Sequence, residues 1–317
     1  MAKRVRNSPA PKPKARYRVT NWREYNRALV ARGAITLWID EAVVAGWGAA
    51  GGKGWRYSDM AILCALGLRA VFGLTLRQTQ GFLSDLTGRL GLEITVPHYS
   101  TFSRRAATLT VPKLARPSGG PLHLAVDATG LKVCGEGEWK TRVHGKDKRR
   151  VWRKLHLVVD TRTGDLHAHA LTASEIHDGT ELEGLLAAVD APVAAVCADK
   201  AYDSFDCHAA ILARGAQPVI PPRKGAAIRP PPGRKDAPPT RGAAVARIAE
   251  VGRAAWKAET GYHRRSLAET AMLRYKTLIG PSLRSRTFDR QKAEAAVAVR
   301  CINCFTALGM PRSIRIA

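Results

Sequence analysis

Two aspartates stand where apolar strands run out. Asp127 ends the run LAVD and Asp199 ends VCAD. A carboxylate at the tip of a buried strand cannot be casually solvated, so it is paired or it coordinates a cation. If the two strands are neighbours, their carboxylates stand side by side, and like charges at that range need a neutralising ion or a shared proton. A hard divalent cation such as Mg²⁺ takes one or two carboxylates and completes its shell with water and substrate phosphate. Two such ions about 4 Å apart can stabilise the attacking and leaving oxygens of an in-line phosphoryl displacement. A third carboxylate is the usual completion.

The stretch GYHRRSLAETAMLRYK, 261–276, offers one. Tyr262, Arg265, Glu269 and Lys276 are spaced by three, four and seven, and at about 100° per residue they fall within roughly 60° on one helix face. Leu267, Ala271 and Leu278 are expected on the opposite side. Alone, the pattern is met by an exposed helix with an Arg265–Glu269 ion pair one turn apart. Beside Asp127 and Asp199 it reads as a nuclease-like site. Glu269 is then the third acid, Arg265 and Lys276 hold substrate phosphates as fork and point charge, and Tyr262 stacks or hydrogen-bonds beside them. Three other polar residues are set aside. Asp160 opens the turn DTRTGD, where Asp bonds local backbone; Asp203 in KAYDS is expected to cap the helix after it; His177 is too isolated to be a ligand.

The chain around these residues has 317 positions and 45% hydrophobic content, enough for a sizeable core and two domains. Its 51 Lys+Arg against 26 Asp+Glu give a net charge of +25. That excess implies a polyanionic partner, nucleic acid before an anionic membrane surface. No apolar run approaches the roughly 18 residues of a membrane span. The N-terminus MAKRVRNSPAPKPKARYRVT lacks the apolar segment of a secretory signal, and residues 1–20 read as a disordered basic arm. The six cysteines are scattered in apolar surroundings. With no second pair or nearby His, Cys301 and Cys304 are not expected to bind zinc. GWGAAGGKGW fails as a phosphate-binding loop, because Gly54 stands where Ser or Thr is required. The run 140–154, KTRVHGKDKRRVWRK, carries Arg149, Arg150 and Arg153 with Trp152 among them. It reads as a DNA-backbone contact surface in preference to a solvated basic loop.

Residues 21–118 carry helical periodicity, with Ser58 or Asp59 and then Ser100 as expected N-caps. Short helices ending in a basic one, with Arg104 and Arg105, suit a helix-turn-helix DNA reader as well as a plain bundle. The texture changes at Pro121. LHLAVDATGLKV, RKLHLVVD and DLHAHALTA read as strands, the last two joined by a hairpin at Thr163-Gly164. EIHDGTELEGLLAAVD reads as a helix opened by an Asp178/Glu181 capping box. VAAVCAD, SFDCHAAILARGA and QPVIPP follow as strand, helix and strand. The order β-β-β-α-β-α-β gives a mixed sheet with helices on its faces. Residues 223–250, rich in Pro, Gly and Arg, read as an irregular basic insertion in a catalytic region spanning 119–310, with 311–317 as a tail.

Tyr262, Arg265, Glu269 and Lys276 fill, without a gap, a motif that resembles the Y-(2)-R-(3)-E-(6)-K signature of the insertion-sequence-five family of bacterial DDE transposases. VDATGLKV around Asp127 and ADKAYDS around Asp199 are similar to the blocks holding that family's first and second aspartates, and IPPRKGA and LRSRTFDRQ are similar to further segments. Lys200 is a small departure, standing where a smaller residue would be less crowded. The resemblance runs from about Trp22 to the C-terminus. It implies a ribonuclease-H-like α/β core behind a helical DNA-binding region, with Asp127, Asp199 and Glu269 as ligands of two Mg²⁺ ions, Mn²⁺ substituting. It further implies a transposase that cuts double-stranded DNA at its element's inverted-repeat ends and joins the 3′-hydroxyls to target DNA. At least a dimer, in the cytoplasm at the nucleoid and away from membranes, is expected. A nuclease or resolvase without strand transfer, and a non-enzymatic nucleic-acid-binding protein, are the competing readings.

Overall fold

A computed structural model describes residues 16–49, 56–112, 115–116, 119–133, 151–229, 233 and 238–316. Arg149 and Arg150, most of the run 140–154 and part of the insertion therefore lie outside the described residues.

The chain enters through β1 (Tyr17–Val19) and then five helices, α1 (Trp22–Ala31), α2 (Glu41–Ala45), α3 (Asp59–Phe72), α4 (Leu76–Arg89) and α5 (Tyr99–Arg105). Ser58 caps α3 as expected, accepting from Ala61 N. Gly73 ends that helix at φ 67°, a conformation that costs glycine nothing. Thr75 and Gln78 then open α4 with a reciprocal capping box. The two helices bend by 109° across this three-residue turn, the crossing of a helix-turn-helix pair. The connection from α4 to α5 is longer, and His98 rather than Ser100 caps α5. Among the described residues no single helix is long and apolar enough to cross a membrane.

The sheet comprises β2 (Leu122–Val133), β3 (Trp152–Asp160), β4 (Leu166–Ala173), β5 (Val193–Ala198) and β6 (Gln217–Val219), with α6 (Leu182–Ala187) and α7 (Phe205–Ala213) between the later strands. Its order is β4-β3-β2-β5-β6. The first three strands pair antiparallel and the last two add parallel to β2. This is the expected ribonuclease-H-like α/β arrangement. Period-two alternation sends residues of β2 into two separate cores. Leu124 and Val126 pack with Leu182, Leu185 and Ile211, while Ala125 and Leu131 pack with Leu155, Leu157, Ala268 and Tyr275. Asp160 is buried in the β3–β4 turn, where it accepts from Arg162 N and Thr163 Oγ1, the structural role its turn predicts.

The C-terminal third supplies α8 (Thr240–Glu259), α9 (Ser266–Leu278), β7 (Ser282–Leu283), α10 (Phe288–Leu308) and β8 (Ser313–Arg315). The far face of α10 buries Val297, Cys301 and Phe305 among the helices of the first third, while Ala295, Ala298 and Ile302 pack over the sheet. One helix thus belongs to both cores.

Further local expectations are corrected. Residues 17–19 are not part of a free arm, nor 313–315 of a free tail: β1 and β8 pair antiparallel, Tyr17 opposite Arg315. Residues 240–250 of the insertion are helical, because α8 buries Trp256 against Cys197 and Val219. The Asp178–Glu181 segment is a 3-10 turn capped by His177, since Asp178 is drawn into an ion pair with Lys154 at 2.9 Å. Ser204 caps α7, which leaves Asp203 for another task. Leu267 lies 37% exposed, and the buried stripe of α9 is Ala268, Ala271, Met272 and Tyr275.

Candidate active site

Parallel pairing of β2 with β5 aligns Val126 with Ala198. Asp127 and Asp199 are the next residues, so their backbones stand about one strand spacing apart, ~5 Å. Asp199 follows the tip of β5, but Asp127 is midway along β2, which runs on to Val133 past the end of its apolar run. The neighbourhood expected of them is present. Asp127 is largely buried and accepts from Ala128 N at 2.9 Å. Asp199 folds back to accept from Ala201 N at 2.7 Å, capping a 3-10 turn.

The third acid arrives from a helix that starts later than its spacing suggests. Gly261 takes φ 66° and Tyr262–Arg265 form a 3-10 turn, so only Glu269 and Lys276 lie on α9 itself. The motif still converges. Arg265 reaches back from the turn, its Nη1 2.9 Å from Asp127 Oδ2, and its Nη2 pairs with Glu269 Oε1. Lys276 donates to Thr129 Oγ1 at 2.7 Å, two residues beyond Asp127. Tyr262 leans on Trp256, ring centroids 6.2 Å apart, with Lys257 Nζ 5.1 Å from its centroid.

Electrostatics tie the acids into one field. Burial pushes the Asp127 carboxyl above the usual carboxylate range. Its Ala128 hydrogen bond and Arg265 oppose that, and the charges of Asp199 and Glu269 reinforce it. Burial likewise raises the Tyr262 phenol, against the pull of Arg265. Among the described residues no three His, Cys, Asp or Glu side chains are gathered closely enough to hold a metal ion as they stand, because a guanidinium lies between Asp127 and Glu269. The donor set nevertheless fits a hard divalent cation: three carboxylates, with Asp127 in the field of the other two and the Glu269 side chain 56% exposed at the edge of the site.

The remaining expected DNA contacts divide. Arg104 is exposed at the end of α5. Arg105 is a correction: only 6% exposed, it pairs with Asp59 and donates to Tyr57 O, so it fastens α5 to α3 and has no face left for a phosphate. Arg153 is half-buried, donating to Gln291 Oε1 at 3.0 Å and lying 4.7 Å from the Phe288 ring centroid.

Sequence reading missed a brace behind Asp199. Asp203 is buried and takes Arg241 in a two-pronged pair at 2.7 and 3.1 Å, together with Arg223 N at 2.8 Å. The Arg223 side chain donates to the carbonyls of Lys200 and Ala201. The insertion therefore grips the turn that carries the second aspartate. The segment IPPRKGA was a signal for Arg223; nothing local marked Arg241. Thr129, the anchor of Lys276, was also unmarked.

Residues 118–304 match the family model described as Transposase DDE domain, and residues 30–136 match a second model of the same description. The chain belongs to the DDE transposase family. It is an enzyme of the DDE type, and transposase domains of this kind generally use divalent metal ions. Among solved structures, the piggyBac transposase synaptic complex with hairpin DNA is similar at 10% identity and a TM-score of 0.40, over 88% of this chain and 76% of that one.

Proposed function

We propose that this DDE transposase, of the insertion-sequence-five type, binds the terminal inverted repeats of its own element, cuts DNA at the element ends and joins the freed 3′-hydroxyls to target DNA. Asp127, Asp199 and Glu269 would be the ligands of two Mg²⁺ ions. The observation that carries this reading is that the parallel register of β2 and β5 sets Asp127 beside the tip of β5 that bears Asp199, with Glu269 tied to Asp127 through Arg265. A divalent cation bound by these acids lowers the pKa of a coordinated water and shields the phosphoryl oxygens.

The chain's own residues do the rest. Glu269 turns inwards to complete the carboxylate set. Arg265 is then released from its two acids to present its fork to a phosphate beside the scissile bond. Lys276, held over β2 by Thr129, adds a point charge on the same line. Tyr262, backed by Trp256, offers a flat surface to a sugar or base. The helix-turn-helix pair α3–α4 and the exposed Arg104 support binding of duplex DNA, and joining of two ends calls for at least two copies of the chain.

The experiment uses labelled element ends with Mg²⁺ and a target plasmid. End cleavage followed by covalent joining is expected, and Glu269→Gln abolishes both while end binding survives. Cleavage without joined product would assign a nuclease or resolvase instead; binding without cleavage in the wild type would leave a DNA-binding protein.

A further inference from the structure

Away from the acids, a pocket of about 340 Å³ opens at the seam between the helices and the sheet. Four arginines line it: Arg69 from α3, Arg284 and Arg286 from the segment after β7, and Arg290 from α10, with Ser103 and Ser285 beside them. Four cations facing one small volume repel, and an anion held among them relieves that repulsion. The hydrogen bonds of Arg284 and Arg290 go to neutral carbonyls, Leu74 O at 3.2 Å and Ser103 O at 2.8 Å. Among the described residues none of the four forms an ion pair with a carboxylate. Glu294, in the inner recess that Arg69, Arg284 and Arg290 also line, offsets one of the four charges while its carboxylate accepts Arg284 N and Ser285 N at 2.9 and 2.8 Å, and the cluster keeps an excess of cations.

Arg69 makes the need sharper. Its Nε is buried without an acceptor, and burial, with Arg284 adding to it, lowers its pKa against the pull of Glu294. A buried guanidinium donor left open costs stability unless a ligand fills it. Arg286 lines the mouth and is exposed, its backbone carbonyl accepting from Gln291 Nε2 at 3.3 Å. Guanidinium forks and two serine hydroxyls around a volume of this size are the chemistry of a tetrahedral oxyanion.

We propose that this pocket seats a phosphate group of the DNA backbone, at a site separate from the three acids. The location gives the seat a purpose. Arg284 also clamps the α3–α4 turn to the catalytic sheet through Gly73 O and Leu74 O, and β7 just before it pairs in parallel with the far end of the strand that bears Asp127. A phosphate held here registers duplex gripped by the helix pair against the cutting site. The DNA source rests on the function proposed above; the phosphate chemistry does not.

The test uses the full chain and two probes. Inorganic phosphate, at constant ionic strength and about ten times its Kd, should raise the wild-type Tm by about 3 °C. Arg286→Ala, an exposed change, and Arg69→Met should abolish that rise, while Arg229→Ala, an exposed loss of the same charge elsewhere, keeps it. With a short duplex, Arg286→Ala should shallow the slope of log Kobs against log salt by about one unit, and phosphate should displace duplex from the wild type beyond matched chloride. No phosphate-dependent rise in the wild type overturns the pocket. A rise that depends on Arg286 with an unchanged salt slope overturns the DNA source and leaves a seat for a free oxyanion. Because neither arm requires cleavage, failure of the transposition reading would be seen separately.

Discussion

Arg265 neutralises Asp127 across 138 positions of sequence, Nη1 to Oδ2 at 2.9 Å, and grips Glu269 with its other amine. One guanidinium thus occupies the ground between two acids that the chemistry would give to a cation. Removing it should act in opposite directions on two measurements. In Arg265→Ala the carboxylates lose a nearby unit charge, which at a partly buried site is worth more than 1 kcal/mol, so a divalent cation should bind at least about tenfold more tightly by calorimetry with Mn²⁺. End cleavage should nevertheless fall by about a hundredfold or more, since the proposed function gives this fork the task of steadying the phosphate. Weaker cation binding in the variant would show that Arg265 supports the acids and does not compete for them.

Asp127→Asn should trade function for stability. Burial raises the Asp127 carboxyl above its ordinary value, with Asp199 and Glu269 adding to the effect, so the folded state carries that charge at a cost. The neutral amide keeps the shape and removes the penalty. Stability at pH 7 should rise by up to about 1 kcal/mol in urea titrations, while cleavage falls by roughly a thousandfold or more and duplex binding persists. A clear loss of stability would mean that the Arg265 pair outweighs burial.

These two residues also mark the limits of reading the chain as a string. Asp127 and Asp199 were legible because each follows an apolar run that could only be a buried strand, and such strands pair side by side. Glu269 was legible from its spacing to Arg265 and Lys276, although Gly261 breaks the helix and sets Tyr262 and Arg265 on a separate turn. Arg105 misled because an arginine at the end of a basic helix looks solvent-facing, and nothing local announces its partner Asp59, 46 positions away. Arg241 was hidden by the Pro- and Gly-rich composition around it. Ion pairs closed across long stretches of sequence leave no periodicity.

The brace behind Asp199 gives a prediction of its own. Asp203 is buried, and Arg241 meets it with two donors at 2.7 and 3.1 Å. Breaking one side of a buried pair strands the other charge, at about 3–5 kcal/mol. Asp203→Asn should therefore lower the urea midpoint with the slope unchanged. Cleavage of the folded fraction should fall too, because the one amide oxygen of asparagine cannot accept from Arg241 and Arg223 N as two carboxylate oxygens do, and the turn bearing Asp199 loosens. Replacing both partners, Asp203→Leu with Arg241→Met, should recover much of the stability and little of the cleavage, which separates a pair that positions from one that merely stabilises.

Acid should weaken the same corner through His208. That ring is 1% exposed, shares Nδ1 with Thr240 Oγ1 at 2.9 Å, and is pushed down by burial from 6.5 to about 4, Asp203 opposing and Arg241 assisting. The unfolded chain takes up the proton as pH falls through 6.5, and the folded chain does so only near 4. Between those values the unfolded state binds more protons, so stability must rise with pH, at no more than about 1.4 kcal/mol per unit from this group. The loss on acidification should begin below 6.5 and level off near 4. His208→Gln, which keeps a partner for Thr240 and cannot protonate, should reduce the slope of the urea-derived stability over that window, leaving the part due to His156, His167 and His169, which burial also pushes down. A slope unchanged by the substitution would assign the acid sensitivity to other groups.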